Sequence, residues 1–295
     1  MAGEFDALVP AEMAAKAETI GIKKAGMDSL TMFALAVLAG AFIAMGAIFS
    51  TTSVAGMAGV TPYGIIRLVA GLAFTLGLIL VVVAGAELFT GNNLIAMAWA
   101  GGKVSTASLL RNWAIVYTGN FVGSIATAYL MFLSKQYTFG SGAIGITALN
   151  TANTKTGYDF VQAFVLGIFC NALVCLAVWL CFSARSTTDK IMSIIPPIAA
   201  FVAAGFEHSI ANMYFIPVGL FIKTDSAWLT SLADKAPKIA NLTWSNFFIK
   251  NLIPVTLGNI VGGALMVGLV YWFVYLRPKQ MQTPQPTAKP MAAGK

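Results

Sequence analysis

Two eight-residue words constrain this chain more than anything else in it. Gly85-Ala86-Glu87-Leu88-Phe89-Thr90-Gly91-Asn92 and Gly205-Phe206-Glu207-His208-Ser209-Ile210-Ala211-Asn212 carry Gly, Glu and Asn at matching offsets, each inside a long apolar stretch. A second pair follows in the same order, Gly119-Asn120-Phe121-Val122-Gly123 and then Gly258-Asn259-Ile260-Val261-Gly262. Matching words in matching order are the signature of an internal duplication. A carboxylate at the centre of a membrane segment costs roughly 2.5 to 3.5 kcal/mol on insertion scales, so the default reading of Glu87 and Glu207 is a substrate path.

Composition decides the setting. With 58% hydrophobic residues, 10% charged residues and a mean hydropathy of +0.80, the chain is an integral membrane protein, because a soluble domain cannot bury that much apolar surface. The formal charge of +7 is scattered at the ends of apolar segments, as membrane flanks are, which argues against a nucleic-acid partner. Cys170, Cys175 and Cys181 share one apolar segment at spacings that fit no zinc or redox motif; they read as small buried filler, and no metal or cofactor is expected. No basic-then-apolar leader opens the chain, so no cleaved peptide is expected.

Met1–Asp28 reads as a soluble lead-in, with Pro10 at a helix start and Ala11–Lys24 patterned as an amphipathic surface helix; a plain tether is the alternative. Met32–Ser50 is long enough to span once. Tyr63–Ala100 is too long for one span, since as a helix it would run ~57 Å against ~30 Å of hydrocarbon. A break is expected there, with a non-helical piece around Leu78–Gly85 that lines a cavity or is buried in protein. Trp113–Leu133 and Phe160–Phe182 span again, separated by a loop at Ser134–Gly157. Ile191–Phe221, with Pro196, Pro197, Gly205 and Pro217, is a second overlong and broken stretch. A soluble loop, Ile222–Ser245, leads to the last span at Phe247–Tyr275, and residues 277–295 read as a disordered tail.

The fold expected is therefore all-α: six transmembrane helices arranged as two inverted three-helix repeats, about 29–134 and 158–276 within a channel domain at 29–276, with helices 2 and 5 broken at mid-membrane. Three crossings deliver the chain to the opposite side, so the second copy is upside down relative to the first. Lys and Arg are richer on the side carrying both termini, which makes that side cytoplasmic.

A broken helix presents free N–H groups and about half a positive charge at the start of its second part. Two such ends, near Glu87-Leu88 and Glu207-His208, favour an anion at the centre. Glu87 and Glu207 read as structural groups capping half-helix N–H groups; direct contact with a solute is the alternative. His208, the chain's only histidine, reads as functional, because its ordinary pKa of ~6.5 responds to a nearby anion or proton; a satisfied structural ring is the alternative. Asn171 and Asn212 are placed to fix that ring, and Thr90 supplies a hydroxyl from the other repeat. Phe74, Leu78, Phe89, Val174 and Phe201 stand beside the breaks as hydrophobic narrowings or as ordinary packing.

At these residues the chain strongly resembles the formate/nitrite transporter family, over nearly its whole length from Phe5-Asp6 to Tyr275. The words carrying the resemblance are Gly85–Thr90, Gly119–Gly123, Asn171–Trp179, Gly205–Asn212 and Ile253–Gly263. Phe74–Leu80, Arg185-Ser186 and the Phe206–Asn212 word are most similar to the bacterial formate channel branch. The resemblance implies an aquaporin-like protomer and a homopentamer with one pore per subunit. It also implies passage of formate and similar small monovalent anions across the lipid of a bacterial inner membrane. His208 would be the central pore histidine, with Thr90 and Asn171 around it. Lys155 would draw anions into the outer vestibule, and Asn259 would match the Asn of the last span's Gly-Asn word. Leu78, Phe89 and Val174 would line one narrowing, Phe74 and Phe201 another. The N-terminal segment would take part in pH-dependent gating, and a soluble enzyme of formate metabolism would be a partner at the cytoplasmic face. Gly91-Asn92 after Thr90 departs from the family pattern and bears on fine selectivity.

Nitrite or hydrosulfide is the alternative cargo within the family. A membrane-embedded enzyme using Glu207 and His208 would lack a nucleophile, metal cluster or cofactor motif, so no enzyme is expected. A polar-solute pore of the aquaporin kind fits the repeat but not the positive half-helix ends or Lys155.

Overall fold

The computed structural model describes residues 7–277, and the secondary structure there is helical throughout. The expected tail, apart from Arg277, lies outside the described residues, as does Phe5-Asp6 at the start of the family resemblance. The first half comprises α1 (Pro10–Ala25), α2 (Ser29–Val54), α3 (Tyr63–Val83), α4 (Phe89–Asn92), α5 (Ala96–Ala100) and α6 (Thr106–Leu133). The second comprises α7 (Ala143–Lys155), α8 (Phe160–Ser183), α9 (Thr187–Ala204), α10 (Ser209–Ile222), α11 (Ser226–Ser231) and α12 (Trp244–Leu276). Five of these, α2, α3, α6, α8 and α12, are long and apolar enough to cross a membrane, and the bent pair α9–α10 makes a sixth. Asp28, Ser105, Asp159 and Ser186 begin four of the long helices by accepting a free backbone N–H, so the starts are written locally.

The repeated Gly-Asn word explains how the halves pack. Gly119 and Gly123 let α6 lie directly on α2, where a side chain at Gly123 would collide with the Val37 carbonyl. Gly258 and Gly262 do the same for α12 on α8, with the Ile168 carbonyl in the equivalent place. Small residues at such crossings are what bring apolar helices together in lipid, where no hydrophobic drive separates helix from solvent.

Both overlong stretches are interrupted, but the first interruption lies later than expected. α3 stays helical through Val83, so Leu78 to Val83 is not unwound; the chain opens at Ala84–Leu88 instead. Gly85 at φ +82° and Gly205 at φ +80° mark equivalent points of reversal, a backbone conformation that costs other residues strain. The second pair, α9 and α10, bends by 51° across its break.

The segment expected as the loop Ser134–Gly157 contains α7, a thirteen-residue helix. A search for apolar runs of spanning length passes over it, because its buried face is only Ile144, Gly145, Ala148, Leu149 and Ala152, at helical spacing. α1 is the helix expected from Pro10 and not a plain tether. Met13, Ala14 and Ala17 are buried against Leu94, Met97, Trp179, Phe182 and Val267, so α1 is docked on the bundle. α1 and α7 thus precede the first long helix of their halves in the same order.

Candidate functional site

Each break is held by one asparagine from the Gly-Asn word. Asn120 Oδ1 accepts the Phe89 N–H at 2.9 Å, while its Nδ2 donates to the carbonyls of Glu87 at 2.9 Å and Ala36 at 2.7 Å. Asn259 repeats this with the Ser209 N–H at 2.9 Å and the carbonyls of Glu207 at 3.0 Å and Gly167 at 2.8 Å. A side chain with two donors and a carbonyl can satisfy both strands of an interrupted helix at once. Asn120 and Asn259 are fully buried, where an unmade bond is most costly.

The glutamates therefore do not cap the half-helices, contrary to expectation; each is enclosed by a lysine and asparagines. Glu87 accepts from Lys24 Nζ at 2.8 Å and Asn92 Nδ2 at 2.7 Å, and Asn92 also donates to Asn112 Oδ1 at 3.0 Å. Glu207 accepts from Lys155 Nζ at 2.6 Å, Asn212 Nδ2 at 2.7 Å and Asn251 Nδ2 at 3.1 Å. Asn112 and Asn251 close the two cages by donating to the carbonyls of Lys24 and Lys155. Sequence reasoning missed Lys24, Asn112 and Asn251. The signal for the asparagines was present: Asn112 and Asn251 precede Asn120 and Asn259 at the same offset in otherwise apolar segments. Lys24 carried no such mark, because it lies on a helix separated from Glu87 by two long helices, α2 and α3.

His208 begins α10, with Nδ1 accepting the Ala211 N–H at 3.0 Å and Nε2 lying 3.0 Å from Thr90 Oγ1. In the neutral ring the proton therefore sits on Nε2 and points to Thr90. The expectation that Asn171 and Asn212 hold the ring is corrected here. Asn171 Nδ2 donates to the carbonyls of Thr90 at 3.3 Å and Asn259 at 2.7 Å, and Asn212 belongs to the Glu207 cage. Cys175 joins Asn171 on the Thr90 carbonyl at 3.3 Å. Asn171 thus positions backbone and Asn212 the Glu207 carboxylate, and neither bonds the imidazole.

Two cavities open beside the two breaks, one lined from the first half's break and one from the second's. The first, about 400 Å³, is bounded by α1 and reaches Leu78, Lys24 and Glu87. The second, about 350 Å³, is bounded by α7 and reaches Phe74, Phe201, His208, Lys155 and Asn212. Phe74 meets Phe201 edge-on at 5.7 Å, and Phe201 stacks on His208 at 5.9 Å, which makes an apolar floor to the second cavity. Phe89 and Val174 line neither cavity and are buried; Phe89 packs edge-on to Tyr117 at 4.9 Å. Among the described residues Asn212 Oδ1 accepts no hydrogen bond. Among the described residues no cluster of His, Cys, Asp and Glu is arranged to hold a metal ion.

Residues 11–273 match the profile of the family described as Formate/nitrite transporter. The chain is 46% identical over 275 residues to the protein named Formate channel FocA in Escherichia coli (strain K12), covering 92% of this chain and 96% of that one. It is 44% identical over 266 residues to the protein of that name in Haemophilus influenzae, covering 89% and 93%. A solved structure described as a pentameric formate channel with formate bound superposes at a TM-score of 0.78, with 48% identity over 84% of this chain and 98% of that one. An FNT family ion channel superposes at 0.76 with 27% identity, covering 89% and 98%. With a duplicated helical bundle, two caged glutamates and a profile match over most of its length, this chain belongs to the formate/nitrite transporter family.

Proposed function

We propose that this protein is a homopentameric channel for formate and similar small monovalent anions, with one path through each subunit and a bacterial inner membrane as its setting. The observation that carries the reading is the Thr90–His208 contact, which joins the two halves: His208 lines the second cavity, and Leu88 and Gly91, on either side of Phe89-Thr90, line the first. A dry passage would cost a bare carboxylate tens of kcal/mol on idealised solvation arithmetic, so donors must meet it at the narrowest point. Nε2–H of His208 and the Thr90 hydroxyl are those donors. The ion-paired cages keep Glu87 and Glu207 from repelling an anion, since each carboxylate faces a lysine and amide N–H groups.

Phe74 and Phe201 form one narrowing, and Leu78, Phe89 and Val174 the other. The asparagines Asn171 and Asn259 fix the backbone from which Thr90 and His208 project. Loop charge puts both termini in the cytoplasm, so the first cavity faces inward and the second outward. α1 covers the inner cavity with Lys16, Gly21 and Lys24, which makes it the element through which pH would alter access. A soluble enzyme of formate metabolism is the partner expected on that same face, and pull-down with the purified pentamer tests it.

The decisive assay is solute flux into liposomes containing the purified protein, comparing formate, nitrite, hydrosulfide and glycerol. Formate should be the fastest. Nitrite or hydrosulfide ahead of formate reassigns the cargo within the family; formate no faster than glycerol overturns the anion reading.

A further inference from the structure

The outer cavity is walled by two cations, and only one of them has an anionic partner. Lys155 is held by Glu207 at 2.6 Å and is largely buried, so its charge is compensated within the protein. Arg67, on α3 of the other half, lines the same cavity. Its Nε donates to the Ala203 carbonyl at 3.3 Å and its Nη2 to the Val202 carbonyl, and Nη1 has no hydrogen-bond partner among the described residues. No carboxylate among them lies within ion-pair distance of the guanidinium.

Both carbonyls belong to the last turn of α9, just before Gly205 reverses the chain. A helix C-terminus contributes about half a negative charge, which fixes an arginine without cancelling it. The guanidinium is thus anchored on two N–H groups while its remaining face stays available, a division that a planar fork permits and an ammonium does not. Its charge is felt at the cavity wall. The Tyr158 hydroxyl there is pushed up to about 12 by burial and then by Glu207, while Arg67 pulls it the other way.

We propose that Arg67, rather than Lys155, is the capture residue for small anions in the outer cavity, its guanidinium supplying the uncompensated charge and a free N–H for one carboxylate oxygen. This rests on the anion-channel reading and adds a residue to it. The inner cavity is lined by three lysines: Lys24 is bound to Glu87, Lys16 donates at 2.7 Å to the Phe182 carbonyl at the end of α8, and Lys190 stands beside them.

The test is formate flux against formate concentration in liposomes, at low and at physiological ionic strength, for wild type, Arg67→Gln and Arg67→Lys, with pentamer integrity checked by native mass spectrometry. Arg67→Gln should raise the half-saturating concentration roughly threefold to tenfold and flatten the salt dependence, because steering charges act through local concentration and are screened by salt. Arg67→Lys should keep the salt dependence. Glycerol flux reports on pore integrity in all three. An intact Arg67→Gln pentamer with wild-type saturation and salt response overturns the proposal. So does a variant that melts earlier with the salt response unchanged, since that is a helix-end role alone. Failure of the wild type to pass formate faster than glycerol would instead overturn the reading beneath it.

Discussion

Asn259 shows how a single side chain holds an interrupted helix together. It makes one acceptor and one donor contact to backbone at the break and a second donor contact to the Gly167 carbonyl of α8, and none can be replaced by water at full burial. Replacing it with Ala should cost ~2–4 kcal/mol, from two or three unmet groups at ~1–3 kcal/mol each less partial relaxation. Thermal unfolding in detergent checks this, and Asn120→Ala should behave alike because its contacts are equivalent. His208 is different in kind. Its Nδ1 takes a single N–H and its Nε2 meets one hydroxyl, so His208→Phe should leave the assembly intact while changing formate flux or its pH profile. Unchanged flux and profile in liposomes would reduce the ring to a filler.

At the level of elements, the glycine crossings decide how closely each break can be approached. Gly262 stands against the Ile168 carbonyl, a backbone atom that cannot swing aside. Gly262→Val should therefore separate α12 from α8 and pull Asn259 from Ser209, at ~3 kcal/mol or more, the upper end of overpacking costs. Loss of folded pentamer on size exclusion is the expected result. A second element-level prediction concerns the short helix α11. Asp225 begins it by accepting the Trp228 N–H at 3.0 Å and also accepts the Tyr137 hydroxyl at 2.6 Å. These contacts, the tyrosine's first, hold its carboxyl below the usual aspartate range. The folded pKa is depressed, so the stabilisation is present above the unfolded value of ~3.9 and is lost as pH falls through the folded one. Wild type should lose melting temperature between pH 6 and pH 3 by more than Asp225→Asn does.

For the whole molecule, the two halves share one plan: a short lysine-bearing helix, a long helix, an interrupted helix and a Gly-Asn helix. The lysines Lys24 and Lys155 come from α1 and α7, which lie ahead of the repeats expected at 29–134 and 158–276. Each cage therefore joins the start of its half to the break, and removing either lysine leaves a buried carboxylate with amide donors but no compensating charge. Lys155→Met should destabilise the protein by ~3–5 kcal/mol, the cost of breaking one side of a buried pair. The double variant with Glu207→Gln should recover much of that loss in the same melting experiment.

The family, the duplication, the helical class and the identities of Glu87, Glu207, His208 and the Gly-Asn words were all legible in the chain, because each is carried by residues close in sequence within an apolar background. Three things were not. The first break sits at Ala84–Leu88 rather than earlier, since periodicity marks where a helix is apolar and not where its hydrogen bonds stop. α7 passed as a loop because thirteen residues with a small buried face fall below the length of a span. Lys24 met Glu87, Arg67 met the end of α9, and Asn120 and Asn259 took the N–H groups assigned to the glutamates. Those pairings join residues on different helices, and helix packing alone brings them within a hydrogen bond's reach. The residues and their order were set by the chain; which donor faces which acceptor was set by the crossing of the helices.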